Sequence, residues 1–160
     1  MYKEHLTKSL LKETSSLKKL AALIEEKDLE YRQAEKIRST LELMQYLSSI
    51  GSVMLRWLIK NDITPEDWAA IRAHRTTLTI ENFKERIEQQ EKEILDWMNS
   101  ITDEDLINKI ALMPTKEEMP LGAAIINAPI KWLTTYRMQL FFNLKANGRP
   151  ELGTKDAWSV

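Results

Sequence analysis

The sequence predicts an all-α fold made of four main helices and one short crossover helix. Helix-breaking residues are scarce, because the 160 residues include only four glycines and five prolines. Leu, Ile, Glu and Lys are abundant, and apolar residues recur with a helical period in several long segments. At this length the simplest organisation is a single domain spanning residues 1–160.

An apolar stripe that starts at Leu6 and ends at Ile24 indicates the first helix. The next segment, residues 29–38, is too polar to belong to a core. It leads to Ser39, which forms with Glu42 the S-x-x-E pattern of a capping box. The second helix is therefore expected to start at Ser39.

The second helix should continue to Asn61, and it is apolar on more than one face, as central bundle helices are. Thr64 and Pro65 then form a new helix start, with Thr as N-cap and Pro at the first helical position. We expect a short crossover helix from Pro65 to about Ala73.

Thr79 is the expected cap of the third helix, whose apolar stripe runs from Ile80 to Ile101. Gln90 occupies a position of this stripe where an apolar residue would be typical, so one polar side chain should face inward. Thr102 is the expected cap of a further turn, and an irregular segment should follow it.

The fourth helix is expected to run from Leu121 to Asn147, with Gly148 as a left-handed stop. Pro129 lies inside this helix and cannot donate a backbone hydrogen bond. It should bend or loosen the helix one turn before Trp132.

Composition excludes several classes of function. The 23 basic and 24 acidic residues are spread along the chain, so we expect no nucleic-acid or membrane partner. The basic spots at Lys18–Lys19 and at residues 72–75 are interpreted as solvated faces. There is no cysteine, which excludes disulfides, thiolate nucleophiles and Cys-ligated metals.

No segment reaches the roughly 18 to 20 apolar residues that a membrane helix needs, and the N-terminus lacks the apolar centre of a secretory signal. A soluble, cytoplasmic protein is therefore expected. The two histidines, His5 and His74, are interpreted as solvated, and no catalytic residue is identified.

Trp132 and Tyr136 are four residues apart and thus share one helix face, a spacing at which two histidines could grip one metal ion. An indole has no lone pair to donate, and a phenol must first lose a proton whose pKa is about 10. No metal and no cofactor is therefore expected here.

Two segments carry a resemblance to a known family. Residues 132–140, which read WLTTYRMQL, and the later Asn147–Gly148 resemble the last helix of DinB/YfiT-like four-helix bundles, typically H-x-x-x-H-R-G-Q followed by a Leu-rich turn and Gly. Residues 29–47 resemble that family's entry into helix two, with an E-x-L-x-H-L turn. The resemblance covers about half the chain, but Met138 replaces the Gly of R-G-Q.

The resemblance implies a four-helix bundle with up-down-down-up topology, and a homodimer packed through helix faces. In that family three histidines hold a divalent metal, and their positions correspond here to Tyr46, Trp132 and Tyr136. These residues should converge in space from two helices and form a degenerate metal site. Aromatic residues at this spacing are, however, more often simple core.

A cavity built for a metal and its substrate could stay partly open and bind a small molecule. The candidate pocket residues are Tyr46, Gln90, Trp132, Tyr136 and Arg137. For Arg137 an interhelical ion pair, with Glu42 as a possible partner, is favoured over ligand binding.

Two hypotheses for the function therefore stay open. The first is a metal-free DinB-like protein that binds a small ligand or a partner. The second is a metal-dependent hydrolase or thiol-dependent S-transferase of the DinB/YfiT type that uses atypical ligands. The missing histidines favour the first hypothesis and a protein that is not an enzyme.

Overall fold

The computed structural model describes residues 2–158 and is mostly helical, which confirms the all-α prediction. Its helices are α1 Tyr2–Ala21, α2 Thr40–Leu47, α3 Ile50–Lys60, α4 Pro65–Thr76, α5 Ile80–Asn99, α6 Asp103–Asn108, α7 Leu121–Ile125, α8 Lys131–Ala146 and α9 Thr154–Trp158. Two short strands, β1 Ile110–Leu112 and β2 Glu118–Pro120, pair as an antiparallel hairpin. Residues 1, 159 and 160 of the predicted domain lie outside the described residues.

Side-chain caps start the helices where the sequence predicts them. Ser39, Thr64, Thr79 and Thr102 each accept a hydrogen bond from the backbone N–H three residues later, and each forms a complete capping box. The crossover helix α4 is one turn longer than predicted, because it continues to Thr76.

The second predicted helix is in fact two helices, α2 and α3, that meet at Ser48 and Ser49. In an unbroken helix the N–H of Gly51 would bond to the carbonyl of Leu47. Here the side-chain amide of Gln90 from α5 inserts between them. Gly51 N–H donates to Gln90 Oε1 at 2.7 Å, and Gln90 Nε2 donates to the Leu47 carbonyl at 2.9 Å. The inserted amide therefore explains the break.

Gly51 makes this insertion possible. A Cβ atom at position 51 would lie 2.9 Å from Cδ1 of Leu133 and 3.0 Å from Gln90 Oε1. Both distances are shorter than ordinary carbon contacts, so a larger residue would push the amide or α8 away.

The fourth predicted helix is present, but its centre is not α-helical. Residues Ile126–Ile130 form a π-helical turn between α7 and α8, and Pro129 lies inside it. This π-helical turn is the loosening that was predicted because Pro129 has no backbone N–H. Helix α8 ends at Ala146, and Gly148 adopts the predicted left-handed conformation with φ of 98°.

The segment expected to be irregular before residue 121 contains α6 and the hairpin. The hairpin is anchored to α3, because the indole Nε1 of Trp57 donates to the Leu112 carbonyl at 2.9 Å. Lys116 in its loop has a left-handed φ of 67°. Turn propensities at Pro114 predicted a loop. They could not predict the anchor to α3, because Trp57 and Leu112 are 55 residues apart in the sequence.

The long helices pack around one apolar core. Helix α1 lies against α5 and α8, α2 against α8, and α3 against α5. The predicted stripes point inward, as buried Leu10, Leu17, Ile87 and Ile94 show. Within residues 2–158, no helix is both long enough and apolar enough to cross a membrane.

Candidate functional site

Tyr46 near the end of α2 and Tyr136 in the middle of α8 lie in direct contact. Their ring centroids are 4.8 Å apart, and the ring planes meet edge to face at 69°. This arrangement is a favourable one for two aromatic rings. Tyr46 and Tyr136 therefore converge from two helices, as expected from the sequence.

Trp132 lies one turn before Tyr136 on α8 and borders an apolar pocket of about 240 Å³. The pocket is lined by Tyr46, Ile50, Met54, Trp57, Trp68, Arg75, Pro114 and Trp132. Helices α2, α3, α4 and α8 and the hairpin loop all contribute. Aromatic rings do not fill the space between the helices completely.

A guanidinium group lies over the two tyrosines. The Cζ atom of Arg38 is 4.5 Å from the ring centroid of Tyr46 and 4.8 Å from that of Tyr136. Both distances are within the range of cation–π attraction. Arg38 belongs to the loop before α2, and its position depends on the capping box that fixes Ser39 next to it.

Arg75 approaches Tyr46 from α4. Its Cζ lies 5.0 Å from the Tyr46 ring centroid, and its Nε donates to Ser49 Oγ at 2.9 Å. Its Nη2 is buried and has no hydrogen-bond partner. Burial lowers the pKa of the Arg75 guanidinium, Tyr46 opposes this change, and the nearby charge of Arg38 adds to it.

The same surroundings change the pKa of Tyr46. Burial raises the pKa of the Tyr46 phenol, and the neighbouring Tyr136 adds to the rise. Arg38 and Arg75 act in the opposite direction, because they favour a phenolate. Tyr46 is therefore neutral at physiological pH, and its hydroxyl group can donate or accept hydrogen bonds.

A larger groove of about 790 Å³ lies beside the apolar pocket and shares Tyr46 and Arg75 with it. Five cationic side chains line this groove: Arg32, Lys36, Arg38, Arg72 and Arg75. Two acidic residues, Glu35 and Glu42, line it as well. The groove is therefore predominantly positive, although the chain as a whole has a net charge of −1.

Gln90 lies elsewhere than predicted. It faces inward, but it borders neither the apolar pocket nor the cationic groove. Both atoms of its amide are used in the break between α2 and α3, and its side chain is buried. Sequence periodicity showed the direction of this side chain but not which backbone groups it would meet.

Arg137 also points away from the pocket, because one residue corresponds to about 100° of helix rotation from Tyr136. It is 1% exposed, and its Nε donates to Glu13 of α1 at 2.8 Å. Its Nη1 donates to the carbonyl of Ala157, and its Cζ lies 5.1 Å from the Trp158 ring. The ion-pair interpretation is correct, but the partner is Glu13.

Glu42, the partner suggested from the sequence, has other roles. Its carboxylate accepts from the backbone N–H of Ser39 at 2.7 Å, and it lies 3.4 Å from Arg32. The Glu42 carboxylate therefore stabilises the start of α2.

Sequence reasoning missed the arginines of the site. Arg72 and Arg75 belong to a segment interpreted as a solvated face, and only Arg72 is exposed. The spacing of Trp68 and Arg75, two turns apart on α4, is the signal that could have placed both on one face. Between residues 2 and 158, no three His, Cys, Asp or Glu side chains cluster in a way that could hold a metal.

Comparison of the chain with protein-family models, with curated proteins and with solved structures finds no match. The DinB/YfiT-like resemblance therefore rests on residues 29–47, residues 132–140 and Asn147–Gly148.

Proposed function

We propose that this chain is a DinB/YfiT-like four-helix bundle that binds a small molecule, without a metal, where the resembled family holds its ion. The contact between Tyr46 and Tyr136 beside an open apolar pocket is the observation that supports this proposal most directly. Tyr136 contacts Tyr46, and Tyr46 and Trp132 line about 240 Å³ of open space together with Pro114 of the hairpin loop. Pockets of this apolar, aromatic kind are the usual sites for small ligands.

The packing of the long helices supports the bundle arrangement. Helix α1, the pair α2 and α3, helix α5 and the segment from α7 to α8 are the four long elements, and each lies against two others. Helix α4 supplies the crossover that an up-down-down-up order requires. The same resemblance leads us to propose a homodimer, which sedimentation equilibrium of the untagged protein would test.

The five tryptophans provide a direct test of ligand binding. Trp57, Trp68 and Trp132 line the pocket, whereas Trp97 and Trp158 do not. In ¹H–¹⁵N NMR spectra, a fragment that occupies the pocket should shift the indole signals of the first three and leave the other two in place. Trp→Phe variants would assign the signals, and shifts confined to Trp97 or Trp158 would contradict the proposal.

Metal analysis of protein purified without a histidine tag tests the metal-free part of the proposal. Neither an indole nor a neutral phenol is a good metal ligand, so we expect less than a tenth of an equivalent of zinc, nickel or manganese. A stoichiometric metal would overturn the proposal and favour a metal-dependent hydrolase or transferase with atypical ligands.

A further inference from the structure

Three arginines of the cationic groove lack an acidic partner. Arg32 lies 3.4 Å from Glu42, but Arg38, Arg72 and Arg75 form no ion pair with any carboxylate in residues 2–158. Three other buried or half-buried arginines do have acidic partners, whereas half-buried Arg86 donates to Thr77 Oγ1. Arg56, Arg137 and Arg149 each pair with at least one carboxylate.

The surroundings of Arg75 show why the absence of a carboxylate partner is unusual. Its guanidinium is half-buried, its Nη2 has no hydrogen-bond partner within residues 2–158, and the like charge of Arg38 acts on it. A desolvated cation in such surroundings is unfavourable unless an anion or several acceptors approach it. An anionic oxygen in the groove would supply the missing acceptor and reduce the repulsion between the two arginines.

The apolar pocket adjoins this charge directly, because Tyr46 and Arg75 belong to the walls of both spaces. Trp57, Trp68 and Trp132 form most of its remaining aromatic surface. The 240 Å³ of this pocket equals the volume of about eight water molecules, which is enough for a six-membered ring. A molecule with one anionic end and one apolar end therefore matches the cationic groove and the apolar pocket together.

We propose that the ligand is a small organic anion, with its carboxylate or phosphate group at Arg38, Arg72 and Arg75 and its apolar body between Trp57, Trp68 and Trp132. The inference rests on the proposed ligand-binding function and adds the chemical class of the ligand. Arg75 fixes the anionic end beside Tyr46, and the phenol hydroxyl group of Tyr46 can donate to its second oxygen.

Three probes separate the parts of this proposal. Cyclohexylacetate carries both the charge and the ring, cyclohexylacetamide carries the ring alone, and inorganic phosphate carries the charge alone. None of them absorbs at 295 nm, so the intrinsic tryptophan fluorescence of the full-length protein reports binding, and calorimetry provides an independent measurement. We expect cyclohexylacetate to bind at least about tenfold more tightly than the amide, the ratio that one charge-assisted hydrogen bond supplies.

Substitutions of single arginines then test where the anionic group of the ligand binds. Arg75→Gln and Arg38→Gln should each reduce the affinity for cyclohexylacetate about tenfold and leave the affinity for the amide unchanged. Arg86→Gln is the matched control, because it removes the same charge from α5, where Arg86 donates to Thr77 Oγ1 outside both spaces. Arg75→Gln should also raise the melting temperature of the free protein, since it removes a desolvated, unpaired cation. A purely structural arginine would have the opposite effect.

The outcomes distinguish this inference from the proposed function. Equal binding of cyclohexylacetate and its amide, with shifts at the three pocket tryptophans, would overturn the anionic ligand class and leave ligand binding intact. Binding of cyclohexylacetate that is no tighter than that of phosphate, and that is unaffected by filling the pocket with Met54→Trp, would overturn the role of the apolar pocket. If neither ring compound binds at millimolar concentration, the proposed function fails together with the inference.

Discussion

The phenol rings of Tyr46 and Tyr136 meet edge to face with 4.8 Å between their centroids, and the guanidinium of Arg38 lies within 5 Å of both centroids. The pair joins α2 to α8, and its member Tyr46 lines both the apolar pocket and the cationic groove. A change in either ring should therefore affect the stability of the helix pair and the shape of the site.

Tyr46 should make stability depend on pH in the alkaline range. Its pKa is raised in the folded protein, mainly by burial, so the unfolded chain loses the proton first as pH rises. The free energy of unfolding should be unaffected by this group below about pH 10 and should fall above it, until the folded pKa is reached. Urea denaturation at several pH values would measure this decrease.

The Tyr46→Phe variant should show a smaller decrease, and its phenolate absorbance at 295 nm should lack the component that titrates at the highest pH. Tyr31→Phe is the control, because it removes a tyrosine outside the pair and should leave that component in place. An unchanged titration of Tyr46→Phe would contradict the assignment.

Restoring histidines should create a metal site if the resemblance is in the right register. The variant combines Tyr46→His, Trp132→His and Tyr136→His with Arg38→Gln, because the guanidinium over both rings would repel a divalent ion. Three imidazoles converging from α2 and α8 suit zinc. We expect zinc affinity at least about a hundredfold above that of Arg38→Gln alone, measured by competition with a chromogenic chelator. A folded variant with no gain would show that the register is wrong.

The pair of Arg137 and Glu13 should be critical for stability. Arg137 is 1% exposed and Glu13 13% exposed, so Glu13→Gln leaves a buried cation with too few acceptors. We expect a loss of about 3 kcal/mol in the free energy of unfolding, measured in urea. The double variant Glu13→Leu with Arg137→Met should lose less than the single one. Glu88→Gln, which removes an exposed partner of Lys84, should change stability by less than about 0.5 kcal/mol.

The Gln90 amide should stabilise the break between α2 and α3. Gln90→Leu removes both of its hydrogen bonds to Gly51 and Leu47, and we expect a loss of about 1 to 3 kcal/mol. The neighbouring Gln89→Leu, on the exposed face of α5, is the matched control and should have little effect. Equal stability of the two variants would show that the inserted amide is not needed.

Local patterns were sufficient to predict much of this fold. Each capping box combines a Ser or Thr with a residue only three positions away, so the starts of α2, α4, α5 and α6 can be identified without any tertiary information. Helical periodicity likewise determines that Trp132 and Tyr136 share one face and that Gln90 faces inward. The approach of Tyr46 to that face required the helix register suggested by the resemblance.

The sequence by itself therefore determined where most helices start, which faces are buried, and that Trp132 and Tyr136 share one helix face. Only the tertiary structure decided that Gln90 interrupts the second helix, that Arg137 pairs with Glu13 rather than Glu42, and that Arg38 and Arg75 meet at Tyr46. The physical reason is the range of the interactions. Caps and stripes act over three or four residues, whereas these partners lie on different helices and become neighbours only when the core packs.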